Sequence, residues 1–304
     1  MQSVKSKIII WVVKHRHWFR GQLREPVIDA SFDVTAFRKR TSETSLKMEK
    51  IPDDIKVEKV AIGDIYGEWL MPVGCEPQKV VMYIHGGGFI GGDCDSHRMH
   101  MVKFAKATRT KILQFNYRLA PEFPFPAAVE DCLTVYSWLL KQGYDPAHIV
   151  IGGESAGGTL TLSTLLMIKA KSLPYPARAF SISPVTDLSC QADAFERNWK
   201  KDIAPYDSWR VWTQMYIGDT DVSNPILSPQ FGDLSGLPPL LIVVGSNEIH
   251  YDDCVAFSKK GLSQNVDVRL SVWEHMVHAF PIMAPLFKEA TEAFDAIRDF
   301  ILGA

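Results

Sequence analysis

Ser155 stands in the string Gly153-Glu154-Ser155-Ala156-Gly157, and this G-x-S-x-G spacing describes a serine at the apex of a sharp strand-to-helix turn. Glycines on either side let strand and helix approach closely, so Oγ stands exposed at the helix N-terminus on a strained backbone. A second string, His85-Gly86-Gly87-Gly88, follows the short apolar run Val80 to Ile84. Chance would produce it on the order of 0.003 times in such a chain, against roughly 0.1 for the serine pattern, so it carries more weight. Consecutive glycines can turn successive amide N–H groups toward one point, where a transient oxyanion would form, and the Ala156 amide adds a further donor. A phosphate-cradling loop is the alternative, but no G-K-[ST] string accompanies the glycines and no ribose-binding acid follows about 20 residues on.

A serine nucleophile needs a base and the base an orienting acid. His278 lies in Trp273-Glu274-His275-Met276-Val277-His278, just beyond the last strand-like run. The strand-like run Leu240 to Val244 leads to Glu248, Asp252 and Asp253. An acid at the carboxyl end of a strand faces the crevice where α/β proteins bind ligands. Glu248 is the expected partner of His278 because it lies close to the strand end. Asp252 lies a helical turn further on, where its charge would favour the helix N-terminus, and it is the alternative. The order Ser155, Glu248, His278 is the nucleophile–acid–histidine order of α/β-hydrolases. His275/His278 and His97/His100 have an H-x-x-H spacing, but no H-E-x-x-H helix or third acidic ligand accompanies them, so no metal is expected. His97 and His100 are expected on the surface or lining the site.

The elements that must position these residues alternate. Val57–Ile62 and Ile65–Met71 read as a hairpin around Gly63-Asp64. Strand-like runs then recur at Val80–Ile84, Lys111–Tyr117, His148–Ile151, Ala177–Ile182, Leu240–Val244 and Val266–Trp273. Between them lie helix-like Ser96–Thr108, Ala127–Gln142, Thr159–Lys171 and Asp252–Gln264, with a last helix near Ala284–Leu302. This alternation predicts a mostly parallel sheet with helices on both faces. Residues 1–50 read as helical. Between Pro184 and Pro225 no strand signal occurs, yet Phe195, Trp199, Tyr206, Trp209, Trp212 and Tyr216 do. So long an excursion is expected to be a cap over the site.

Composition excludes several classes. In 304 residues, 46% are hydrophobic and the net charge is −2, which suits a folded globular chain and lacks the basic excess of a nucleic-acid binder. Five scattered cysteines without a C-x-x-C pair argue against a disulfide framework and for a cytoplasmic protein. The apolar run Ile8 to Val13 is closed by Lys14-His15-Arg16 and falls far short of the about 20 residues of a membrane span. Its basic, Trp-bearing surroundings are expected to form an amphipathic helix packed on the protein.

Together these strings resemble the bacterial hormone-sensitive-lipase-like esterases of the α/β-hydrolase superfamily, from about Val80 to the C-terminus. The resemblance rests on His85-Gly86-Gly87-Gly88-Phe89, Tyr117-Arg118-Leu119-Ala120-Pro121-Glu122, Phe125-Pro126-Ala127-Ala128, Gly153-Glu154-Ser155-Ala156-Gly157-Gly158, Leu237-Pro238-Pro239 and His278-Ala279-Phe280. It implies an α/β-hydrolase fold with a mostly parallel eight-stranded sheet, a catalytic domain of residues 51–186 and 224–304, and a helical cap of residues 1–50 and 187–223. It also implies hydrolysis of short- to medium-chain carboxylic esters through an acyl-enzyme, without metal or organic cofactor, with Gly87, Gly88 and Ala156 as oxyanion donors. The partner implied is a small-molecule ester, with no nucleic acid and no stable membrane insertion; a homodimer is left open. An amidase or arylformamidase would use the same groups. The gibberellin receptor, a non-catalytic relative, lacks the histidine that His278 supplies here. Three positions depart from the family's pattern: Asn116 for the usual aspartate, Phe123 for the usual histidine, and Glu248 where many members carry aspartate.

Overall fold

The computed structural model describes residues 2–15, 32–46, 50–203 and 208–303. Tyr206, named above, and Trp18 of the basic N-terminal segment lie outside the described residues. Eight strands form one sheet: β1 (Ile55–Ile62), β2 (Ile65–Pro72), β3 (Glu76–Ile84), β4 (Thr110–Phe115), β5 (Ile149–Glu154), β6 (Arg178–Ile182), β7 (Leu240–Gly245) and β8 (Val268–Trp273). They lie in the order β1-β2-β4-β3-β5-β6-β7-β8. The β1–β2 and β2–β4 pairs are antiparallel and all the others parallel.

Strand side chains alternate between faces, and both faces are covered by helices, so the central strands are apolar throughout. Val80, Met82 and Ile84 of β3 enter one core, with Leu160 and Leu165 of α5 (Ala156–Ala170) and Val135 and Leu139 of α4 (Ala127–Lys141). Val81 and Tyr83 enter the other, with Phe104 of α3 (Cys94–Thr108) and Phe294 and Ile297 of α9 (Lys288–Leu302). The last helix begins at Lys288 rather than near Ala284. Phe280–Met283 close in a 3₁₀ turn, and the chain then passes Pro285, which has no amide hydrogen to donate, before the helix starts.

β3 leads through α3 to β4 on one side, whereas β5 lies on its other side, so chain direction across the sheet switches between β3 and β5. Ligands of such sheets bind outside the carboxyl ends of the strands at this switch. The His85-Gly86-Gly87-Gly88 loop and Ser155 emerge there.

Helices outside this pattern overhang the same end. α1 (Val4–Lys14) sits against α9: Ser3 and Ser6 hydrogen-bond Glu289, and Ile10 enters the second core. In α2 (Val34–Leu46), Phe37 lies against Gly91 and its ring is 6.1 Å from that of Trp212. The Arg38 guanidinium donates to the carbonyls of Ile90 and Ala120 and, at 2.8–2.9 Å, to Glu122. Trp212 belongs to α7 (Ser208–Ile217), which with α6 (Asp193–Asn198) occupies the stretch between β6 and β7. Deleting residues 1–45 removes Phe37 and Arg38 and uncovers apolar surface beside Trp212, so solubility should fall, together with the ester turnover that the sequence resemblance implies. A soluble truncation with wild-type rates on every ester would show that this segment has no part in the site.

Candidate active site

Ser155 has φ 59° and ψ −126°, a conformation that costs a non-glycine residue about 1–3 kcal/mol and is held by its surroundings. Its amide donates to the Ile182 carbonyl at 2.8 Å, so β6 fixes the turn. A Cβ on Gly153 would lie 2.3 Å from the Ile84 carbonyl oxygen, and one on Gly157 only 2.0 Å from it. The flanking glycines therefore let the serine turn press backbone to backbone against the end of β3.

His278 Nε2 is 2.9 Å from Ser155 Oγ, and His278 Nδ1 is 3.3 Å from Glu248 Oε2. Glu248 is fully buried, and its Oε1 accepts from Ser183 Oγ at 2.9 Å and from the Gly245 amide at 2.6 Å. Burial pushes the Glu248 carboxyl up, against the hydrogen bond and charge of His278. Burial also opposes the imidazolium of His278, but the hydrogen bond and charge of Glu248 outweigh it and hold its pKa above the usual histidine value.

The other acids after β7 are engaged elsewhere. Asp252 accepts from the Ala194 amide and from Arg197, both of α6, at 2.8–2.9 Å. Asp253 is buried with an unpartnered Oδ2, and burial, with Asp187 and Asp252 nearby, pushes its pKa up to about 8. Neither contacts His278.

The glycine loop lies beside the serine turn. Gly87 has φ 122° and Gly88 φ 64°, positions only glycine adopts cheaply. A Cβ on Gly88 would meet the Trp212 ring at 2.5 Å. The amides of Gly87, Gly88 and Ala156 donate to no protein acceptor among the described residues, and Ala156 opens α5, whose N-terminus carries partial positive charge. Over this point sits α7, with the Trp209 ring 5.6 Å from that of His278.

Three supporting residues carry no local sequence signal. Glu154 Oε1 accepts from the Gly86 amide at 2.6 Å and pairs with His97 Nε2 at 2.9 Å, while Oε2 accepts from the Tyr83 hydroxyl. The residue before the serine thus ties the glycine loop to the serine turn. Burial opposes the charges of both Glu154 and His97, but each favours the other's, lowering the carboxyl pKa and raising the imidazole's. His97, on the first turn of α3, meets Glu154 from beside the loop, with its side chain 14% exposed. Ser183, beyond β6, accepts from the Ala279 amide at 3.0 Å while donating to Glu248. Asp202 accepts from the amides of His278 and Ile249 at 2.8 and 3.0 Å. A further difference is local: Asn116 Oδ1 accepts from the Cys94 amide at 2.8 Å, anchoring the start of α3, and Phe123 is exposed. Among the described residues no group of three His, Cys, Asp or Glu is arranged to hold a metal ion.

Fold and site together define an α/β-hydrolase, and the chain belongs to that family: its alpha/beta hydrolase fold model matches residues 81–282. Within it the chain belongs with the bacterial hormone-sensitive-lipase esterases. An esterase of that family with a solved structure superposes with a TM-score of 0.89 at 31% identity, over 100% of this chain and 99% of that one. An acetyl-hydrolase of Streptomyces hygroscopicus is 35% identical over 80% of this chain and 81% of its own length. An ethyl acetate hydrolase of Pseudomonas putida is 29% identical over 70% of this chain and 69% of its own.

The Glu154–His97 pair gives a stability test. Glu154→Gln removes the countercharge, His97 sheds its proton, and the imperfectly partnered buried groups left behind should lower unfolding stability by about 1–3 kcal/mol in urea titration. A loss below about 1 kcal/mol would mean the pair is worth no more than an exposed one.

Proposed function

We propose that this carboxylic ester hydrolase works by acyl transfer through Ser155, with His278 as general base and Glu248 as the acid that orients it, on esters of short to medium acyl chains. The observation that carries this reading is the continuous hydrogen-bonded chain from Ser155 Oγ through both nitrogens of His278 to Glu248. His278 Nε2 takes the hydroxyl proton as Oγ attacks the ester carbonyl carbon. The negative charge that forms on the carbonyl oxygen is held by the amides of Gly87, Gly88 and Ala156, each worth about 3 kcal/mol in the transition state. The tetrahedral intermediate collapses and expels the alcohol, which takes the proton from imidazolium. His278 then takes a proton from water as it attacks the acyl carbon, and collapse of this second intermediate returns that proton to Ser155 Oγ and releases the carboxylic acid.

Residues 1–50 and 187–223 form the cap in this reading, and residues 51–186 and 224–304 the catalytic domain. Support comes from the aromatic rings they hold over the glycine loop: Phe37, Trp209 and Trp212. Such a roof favours a small apolar acyl group, and the relatives named acetyl-hydrolase and ethyl acetate hydrolase agree with that size. No helix among the described residues is long and apolar enough to cross a membrane. The five cysteines are all unpaired, which supports a reducing, cytoplasmic setting.

A fluorophosphonate probe should add one adduct at Ser155 by mass spectrometry, and aryl-ester turnover should vanish in Ser155→Ala; undiminished labelling of that variant refutes the assignment. Across p-nitrophenyl esters of increasing acyl length, kcat/KM should peak at short to medium chains, and a steady rise toward long ones would refute the size argument.

Glu248→Gln should lower kcat by about 10⁴, whereas Asp252→Asn removes only a helix-end charge and an exposed ion pair and should cost little. The reverse result would move the acid to Asp252. Only the neutral imidazole accepts a proton, so the raised His278 pKa places the acid limb of kcat/KM above that of an ordinary histidine, about 6.5. An acid limb centred well below that value would contradict an ionised partner on His278.

A further inference from the structure

Two side chains from the stretch between β6 and β7 reach into the loops that carry Glu248 and His278. Asn198, at the end of α6, donates through Nδ2 to the carbonyls of Ser246 and Glu248 at 3.2 and 2.9 Å. Asp202, whose amide returns to the Asn198 carbonyl, accepts from Ile249 through Oδ2 and from His278 through Oδ1. Both are buried, at 1% and 4% exposure. Between them they hold the backbone on both sides of Glu248 and the backbone of His278 itself.

We propose that Asn198 and Asp202 are positioning residues, through which the 187–223 segment sets the alignment of Glu248 with His278. The proposal rests on the reading of Ser155, Glu248 and His278 given above. A carboxylate has only acceptor oxygens and takes two amides from two loops at once, which an amide side chain of the same shape does not, since one of its ends donates. A buried anion is also an expensive way to fill space, costing several kcal/mol to desolvate. The same segment carries Trp209 over the His278 ring, so its seating and the alignment of the reacting groups are one mechanical unit. Asp202 also adds negative charge near the imidazole. The other titratable groups about His278 are Glu248 after β7, His250 at 5.2 Å between ring centroids at the start of α8 (Tyr251–Ser263), and Glu154 at the end of β5. Lys14 of α1 lies within electrostatic reach of Asp202 and Lys201. His250 is buried and held neutral, well below the usual histidine value, by burial and by the His278 charge.

Asp202→Asn and Asn198→Ala, assayed on a p-nitrophenyl ester beside Ser155→Ala, test the proposal. A misalignment of the reacting groups costs about 100-fold in kcat, with KM within about twofold of wild type, and this is expected for Asp202→Asn. That variant also removes a charge that favours imidazolium, so its acid limb should move to lower pH. Asn198→Ala is neutral for neutral and should lose kcat with its acid limb unmoved. An Asp202→Asn enzyme with a wild-type melting temperature and wild-type kcat overturns the proposal, as does a loss confined to KM with an unshifted acid limb. If Asp202→Asn does not fold, Asn198→Ala decides: wild-type kcat there overturns it. Turnover surviving in Ser155→Ala would instead sink the underlying reading, so the two failures are distinguishable.

Discussion

Backbone lies against backbone where the turn around Ser155 meets the end of β3. At Gly153 and Gly157 even a single added carbon would sit within 2.0–2.3 Å of the Ile84 carbonyl oxygen. That contact draws the first helical amide of α5 and the glycine loop after β3 to one point, and it leaves Ser155 Oγ above them. Each remaining part is placed relative to this contact. β6 pins the strained serine through its amide, and β7 and β8 bring an acid and an imidazole to it from one side. The sheet supplies stiffness, since five parallel pairings carry the loops and both faces are packed.

Around that contact the protein buries several ionisable groups and gives most of them partners. Glu248 has Ser183, Gly245 and His278; Glu154 has Gly86, Tyr83 and His97; Asp202 has three backbone amides. A low local dielectric makes each such bond stronger and each omission costlier. The arrangement is rigid for the same reason, because moving any one loop would strand a charge. Where no carboxylate is hydrogen-bonded to it the group is neutral instead: His85, with Nδ1 2.8 Å from the Gly86 carbonyl and Nε2 unpartnered, is pushed down to about 4 by burial and by His97.

All eight strands and the order of Ser155, Glu248 and His278 were readable from the sequence because they depend on local signals. Apolar runs of strand length, glycines at fixed offsets and an acid just past a strand each announce themselves within a few residues. Asp202, Ser183 and the pairing of Glu154 with His97 were not readable, since their long-range partners are separated by 47–96 positions and met only through the fold. The last helix starts at Lys288 rather than near Ala284, because the apolar Ala284–Phe287 have helix-compatible types while Phe287 is extended at φ −150° and ψ 161° ahead of the first helical turn. Among Glu248, Asp252 and Asp253, spacing alone ranked the candidates, whereas the partners of Asp252 in α6 depend on how an inserted segment folds back.

α2 is held differently from the sheet helices. Among the described residues its attachments include Phe37, Val34, the Arg38 fork onto two loop carbonyls and the half-exposed Glu122, and Ser42 onto Asp93, and no described strand precedes it. Such an element, held by side chains rather than by pairing into the sheet, opens at a lower free energy than the core. Heating or mild denaturant would therefore detach α2 while the sheet remained intact. Release of the Phe37 ring from Trp212 and unfolding of the sheet would then be two events with two midpoints.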